Sequence, residues 1–205
     1  GLSADQDIFS MDELAAAFDV KNVNPNPARF DQKKADAINA AHIRLLTIDD
    51  FKQRLLPYLQ SAGIVGATLS AQEAAILDAA APLIQERVTV LSEAPDLLSF
   101  LFTTADKITI DQDALDGMPE NVGEVLNAAI AAIEGIEEAN FKTEPVQQAL
   151  NHALIEELGL KPRFAFGPLR TGISGRRISP PLFESMEILG KTETIARLQA
   201  FARSV

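Results

Sequence analysis

The chain has 205 residues, of which 47% are hydrophobic, and its 29 acidic side chains against 18 basic ones give a formal net charge of -11. That length is enough for a sizeable core in one large or two smaller domains, and so acidic a chain repels nucleic acid at long range, so RNA could be held only by a local basic patch. Cysteine is absent, which removes disulfides and thiolate chemistry, and no run of about 18 apolar residues is present to span a bilayer, so a cytoplasmic protein without a membrane partner is expected.

The chain starts without methionine and its first residues read like the interior of a longer protein. Ser10, with Glu13 three residues on, forms a capping box that opens a short helix ending near Asp19. VKNVNPNPARF then reads as a loop. Over residues 31–46, Ala35, Ile38, Ala41 and Leu45 recur at helical spacing. Thr47 and Asp50 cap the next helix, in which Phe51, Leu55, Tyr58 and Leu59 share a face, Pro57 introduces a bend and Gly63 is the stop. Ser70 and Glu73 form another capping box ahead of AQEAAILDAAAPLIQERV. RVTVL, residues 87–91, is strand-prone in composition, but no alternating run offers a partner, so helix is expected there. Residues 92–102 follow as a helix with Leu97, Leu98 and Leu101 inward.

The pattern lapses in TTADKITID, residues 103–111, and a domain boundary there divides the chain into 1–105 and 106–205. Asn121 and Glu124 cap an amphipathic helix carrying Val125, Leu126, Ala129, Ile130 and Ile133 at core spacing. Thr143 starts another, with Val146, Leu150, Ala153, Leu154 and Leu158, which ends at Gly159. Thr192 opens a terminal helix with Ile195, Leu198 and Phe201 inward and Lys191, Arg197 and Arg203 outside. The fold expected is all-α, roughly ten helices in two consecutive helical domains.

Residues 161–190 depart from this pattern. Between Gly159 and Phe183 there is no acid, while Lys161, Arg163, Arg170, Arg176 and Arg177 are all basic. Glycine and proline are dense there, which predicts a shaped backbone. Ser179 before Pro180 has the form of a helix start running to Leu189, with Gly190 closing it. A basic loop feeding a helix N-terminus suits an anionic or acceptor-rich ligand.

Other chemistry is excluded. GPLRTGIS, residues 167–174, has P-loop glycine spacing but carries Ile173 where lysine is required, and no strand precedes it. His42 and His152 are the only histidines and are not at ligand spacing, so no metal site is expected. Asp49 and Asp50 are adjacent and therefore on different helix faces. No nucleophile, base and orienter can be assembled, so the chain is not expected to be catalytic by itself.

SGRRISPPLFESMEILGK, with the preceding PRFAFGPLR, resembles the C-terminal end of bacterial glutamyl-tRNA synthetases. PARFDQKKADAINAAHIRLL, with Phe30, Asp31, Lys34, Asn39, Ile43 and Arg44 at matching positions, is similar to the family's segment just after its catalytic body. The resemblance implies helical anticodon-binding domains of the cage type, serving a ligase that attaches glutamate to tRNA(Glu) with ATP and Mg2+. The family's HIGH-like and KMSKS-like motifs do not occur here, and no cofactor is implied for this chain. It also implies tRNA(Glu) as partner with tRNA(Gln) as a second candidate, no DNA, and a monomer. Ser179, Pro180 and Leu182 match the positions that meet anticodon bases, with serine where threonine is frequent. Arg87 matches an arginine that touches the last anticodon base. Arg170, Arg176 and Arg177 are phosphate candidates by charge and position, whereas Lys34, Asn39 and Arg44 are read as structural. The alternative from another class is an acidic helical protein-interaction module with no RNA role.

Overall fold

The structure is a computed structural model that describes residues 8–22 and 29–205. The first residues of the chain and most of the asparagine- and proline-rich loop therefore lie outside the described residues. Among the described residues there are ten α-helices, several short 3-10 turns and no strand, in keeping with the all-α expectation. The helices are α1 (Met11–Ala17), α2 (Gln32–Arg44), α3 (Ile48–Ser61), α4 (Ala71–Gln85), α5 (Ala94–Leu98), α6 (Val122–Glu134), α7 (Thr143–Asn151), α8 (Pro162–Ser174), α9 (Leu182–Leu189) and α10 (Lys191–Ala202). A π-helical turn, His152–Glu157, carries α7 on toward Gly159.

The starts of α1 to α4 are written in the side chains. Ser10 and Ser70 each accept from the amide of the glutamate three residues on, and each glutamate carboxylate accepts from the serine amide in return. Thr47 Oγ1 accepts from the Asp50 amide at 3.2 Å. α7 begins at Thr143 as expected, but its cap comes from elsewhere in the fold: the Thr143 amide and hydroxyl both donate to Glu187 Oε2 at 2.6 Å. Asn121 precedes α6 without capping it, because its amide group donates to Glu124 Oε2 at 3.0 Å instead of accepting from the backbone.

Helices α3, α4 and α5 pack together, α10 lies across α6, α8 and α9, and α4 meets α9. One buried apolar cluster runs from Ile43 to Phe201 through both groups. The expected faces of α3 and α6 are the buried ones, with Tyr58 at the margin of the first. In α2 the inward residues are Ala40 and Ile43, and Leu45 is exposed.

Four expectations are corrected. Residues 87–90 are neither helix nor strand but a bent segment that leads into a 3-10 turn at Leu91, because Asn39 and Glu93 side chains bond the Thr89 carbonyl and amide that a ladder would otherwise have to satisfy. Most of the glycine- and proline-rich window is α8, with Pro162 in its first turn, Pro168 within it, and Ala165, Leu169 and Ile173 on its buried face. Gly172 serves packing there: a Cβ on it would lie 3.0 Å from Phe201 Cδ1 of α10. The helix expected from Pro180 begins at Leu182, and Ser179 caps nothing. A residue that precedes proline is pushed out of the helical region, so neither Ser179 nor Pro180 can open a helix ahead of Pro181. Arg197, expected outside, is 2% exposed.

The buried Arg197 is fully engaged. Its Nε donates to Glu193 Oε1 at 2.8 Å, Nη1 to the Ile173 carbonyl at 2.8 Å, and Nη2 to the Thr103 carbonyl. Burial pushes the guanidinium below its ordinary pKa, and Glu193 opposes that shift. Replacing it leaves three acceptors without a donor in a dry site. Arg197→Met is expected to cost about 3 kcal/mol or more, read as a lowered urea midpoint.

Glu187 links two helices, accepting from Thr143 on α7, and pairs with Lys142 Nζ at 3.3 Å. The Thr143 side-chain bond first, then the Thr143 amide, hold its pKa below the ordinary 4.5. A depressed folded pKa stabilises the fold above the unfolded value, and that contribution disappears as pH falls through the folded value. Glu187→Gln is therefore expected to be less stable than wild type at pH 7, with the difference shrinking below pH 4.5 in paired urea titrations.

Candidate nucleic-acid interface

The loop between α8 and α9 is built by three residues. Gly175 closes α8 at φ 74°, its amide donating to the Thr171 carbonyl at 2.7 Å. A Cβ there would lie 2.1 Å from the Thr109 carbonyl oxygen, and the Gly175 carbonyl accepts from the Asp111 amide at 2.8 Å, so glycine lets the loop press against residues 109–111. Ser174 Oγ lies 2.8 Å from the Arg170 carbonyl and accepts from the Arg176 amide at 3.2 Å. Arg170 then clamps the far end, with Nη1 at 2.7 Å from Ser179 Oγ, 2.9 Å from the Pro180 carbonyl and 3.2 Å from the Ser179 carbonyl.

The predicted base-contacting residues are thereby placed unequally. Ser179 and Pro180 are buried, and Leu182 belongs to the core at 4% exposed. The apolar side chain that stands out from this loop is Ile178, 77% exposed. The phosphate candidates also differ. Arg170 is half-buried and committed to the loop, Arg176 has Asp96 Oδ1 at 3.5 Å and Asp111 Oδ2 at 4.0 Å, and Arg177 is exposed with no ion pair among the described residues.

Arg87 sits on the bent segment after α4, which is braced from several sides. The Arg87 and Val88 amides both donate to the Ile84 carbonyl, and Val88 is buried. Asn39 Nδ2 donates to the Thr89 carbonyl at 2.6 Å, Gln85 Nε2 to the Ile43 and Leu46 carbonyls, and Arg44 pairs with Glu86 at 3.2 Å. Asn39 and Arg44, read as structural, do hold structure: they fix the segment that presents Arg87. Lys34 lies at the start of α2, where its amide donates to Asp31 Oδ1. The Arg87 side chain itself is exposed and has no hydrogen bond or ion pair among the described residues.

Two cavities meet this loop. One of about 520 Å³ is lined by Arg87, Glu93, Asp96, Leu97, Ile178 and Ser179, which brings Arg87 and Ser179 together across more than 90 residues of sequence. Arg170 lines another, of about 410 Å³, with Arg163 and Arg177. Burial, and secondarily the charge of Arg87, lowers the Arg170 pKa, so the two cations are within electrostatic reach of each other. Glu93, Asp96, Leu97 and Ile178 were not legible as site residues, since each looks like an ordinary surface or helix-face residue until the fold gathers them.

The anticodon binding domain family model matches residues 50–202. The chain belongs to the anticodon binding domain family. The matched stretch contains Arg87, both cavities and the whole of the 175–181 loop. Glutamate–tRNA ligase of Arthrobacter sp. (strain FB24) is 58% identical over 200 residues, covering 98% of this chain and 39% of that protein. Glutamate–tRNA ligase of Clavibacter sepedonicus is 57% identical over 201 residues, covering 98% and 40%. The chain thus spans about two fifths of the length of these relatives. In fold it is similar to the crystal structure of a glutamate tRNA ligase from Elizabethkingia meningosepticum CCUG26117 in complex with its amino acid, with a TM-score of 0.76 at 24% identity over 96% of this chain and 37% of that one. The similarity to glutamyl-tRNA synthetases suggested by two short strings extends along nearly the whole chain.

The 175–181 loop depends on Gly175. Gly175→Ala places a side chain on a left-handed backbone and into the Thr109 carbonyl, and is expected to cost about 3 kcal/mol or more, measured as a lowered midpoint of urea unfolding.

Proposed function

We propose that this chain is the anticodon-binding part of a glutamate–tRNA ligase, and that it grips the single-stranded anticodon loop of tRNA(Glu) in the cytoplasm, with tRNA(Gln) as the competing tRNA. In this reading residues 1–105 adjoin the catalytic part and residues 106–205 form a C-terminal helical domain. ATP and Mg2+ act in the catalytic part of such an enzyme, and this chain supplies recognition. The observation that carries the reading is the convergence on one cavity of Arg87 and Ser179, two residues matched to the same family from separate stretches of the chain.

The chemistry suits bases that have left a stack. An arginine fork donates two hydrogen bonds to adjacent acceptors on a base edge, and Arg87 is held by its backbone but not by its own side chain. Leu97 and Ile178 offer apolar surface to the base face, and Glu93 and Asp96 offer acceptors to exocyclic amino groups. Ser179, Pro180 and Leu182 fix the loop that forms the opposite wall, and Arg170, Arg176 and Arg177 carry the positive charge that phosphates need.

The test is a titration of the chain, wild type and Arg87→Gln, against tRNA(Glu) and tRNA(Gln) at low and moderate salt. Weak, salt-sensitive binding that prefers tRNA(Glu) is expected, and Arg87→Gln should lose on the order of tenfold in that preference. A folded chain that binds neither tRNA would return weight to the protein-interaction module.

A further inference from the structure

We propose that the cavity lined by Arg163, Arg170 and Arg177 holds a phosphate of the bound RNA strand, with Arg163 and Arg177 as its donors. The inference rests on the anticodon-loop reading and adds a second subsite to it. Arg163 was not among the phosphate candidates, and what assigns it is its surroundings.

The chain carries 29 acids against 18 bases, so a concavity lined by three arginines and one carboxylate runs against its overall charge. Arg163 and Arg177 have neither an ion pair nor a side-chain hydrogen bond among the described residues, although both line the same concavity of about 410 Å³. One carboxylate, Asp116, also lines it, and lies beyond 4.0 Å from both guanidinium groups. The Arg163 head group is not loose in solvent. Its Nη2 lies 3.6 Å from where a Cβ on Gly117 would be, against a turn whose φ of +73° keeps that position a glycine.

Three arginines line this concavity, and Arg170 is partly desolvated. A phosphate supplies the opposite charge and offers several acceptor oxygens to Arg163 and Arg177, whose side chains have no partner among the described residues. Phe166, Met118 and Pro119 add an apolar wall, and the volume accommodates a phosphate with its nucleoside attached.

Arg170 connects this subsite to the Arg87 cavity. One of its nitrogens holds Ser179, which lines the Arg87 cavity, while Arg170 itself lines the arginine cavity. In this proposal a strand whose base enters the Arg87 cavity places a neighbouring phosphate in the arginine cavity, with Arg170 as the residue linked to both.

The experiment uses the 205-residue chain and RNA hairpins carrying an anticodon loop, over a salt series. The variants are Arg163→Gln, Arg177→Gln and Arg163→Lys, with Arg54→Gln on exposed α3 surface as a control of identical charge change. Each of the two glutamine variants in the cavity is expected to weaken binding about tenfold at low salt, and to reduce the slope of log K against log salt by about 0.7, equally for hairpins of different loop sequence. Arg163→Lys should recover much of the slope, and Arg54→Gln should leave it unchanged. A free 5′-nucleotide titrated into wild type and Arg163→Gln separates phosphate sources: an Arg163 effect on both ligands marks a site open to terminal phosphates, and one on the hairpin alone marks a site for the phosphodiester. If Arg163→Gln and Arg177→Gln behave like Arg54→Gln while wild type binds hairpins, the subsite is overturned and the anticodon reading stands. If wild type binds no hairpin, both fall.

Discussion

The guanidinium of Arg197, shut away from water, fixes the point from which the 175–181 loop departs. Its three bonded groups belong to different parts of the chain: Thr103 at the start of the 103–111 connection, Ile173 in the last turn of α8, and Glu193 on α10. Dry guanidinium nitrogens cannot exchange these acceptors for water, so the connection, the end of α8 and α10 behave as one unit. Gly172 brings α10 onto α8 at the same level, and two residues later Gly175 turns the chain against Thr109. The loop therefore begins at a position set by burial rather than by its own sequence.

From there the loop is held by polar groups that are satisfied within it. Ser174 bridges its beginning, and Arg170 gathers Ser179 and Pro180 at its end. Arg170 tolerates desolvation and the nearby charge of Arg87 because three acceptors surround one of its nitrogens. A loop tied in this way spends little conformational freedom when a ligand arrives, which is the usual advantage of preorganisation. The acidic surface acts differently. At physiological salt it is screened over roughly 8 Å, so the sign of charge inside a cavity outweighs the net charge of the chain once the RNA is close.

Much of the architecture was legible because helices announce themselves through side chains near their ends. Ser10, Thr47 and Ser70 sit where caps are required, and the apolar rows of α3 and α6 repeat at the period of the helix. What escaped were places where one part of the fold supplies what another lacks. Residues 87–91 look like strand or helix because their backbone needs partners, and those partners are Asn39 and Glu93. Arg197 looks like solvent-facing arginine because Thr103 and Ile173 are far away in sequence. The density of glycine and proline in α8 reads as loop, yet Pro162 begins the helix and Gly172 admits a neighbour. For the site, Arg87 and Ser179 were identified through their family resemblance, whereas Ile178, Leu97 and Asp96 become neighbours only once both halves are packed.

That dependence on packing bears on how recognition is controlled. The Arg87 cavity takes Arg87, Glu93, Asp96 and Leu97 from one side of the 103–111 connection and Ile178 and Ser179 from the other. Neither set encloses a base by itself. The contacts that hold the two sets together, α4 on α9 and residues 99–102 on α8 and α9, are apolar and lie in the shared core rather than at the cavity. The distance between Arg87 and the loop is therefore set by core volume, and a change of one methylene in that core shifts it without touching a site residue. A base edge accepts its donors over only a few tenths of an ångström. In the proposed reading, discrimination between bases by Arg87 therefore depends also on the packed whole, through residues that never meet the ligand.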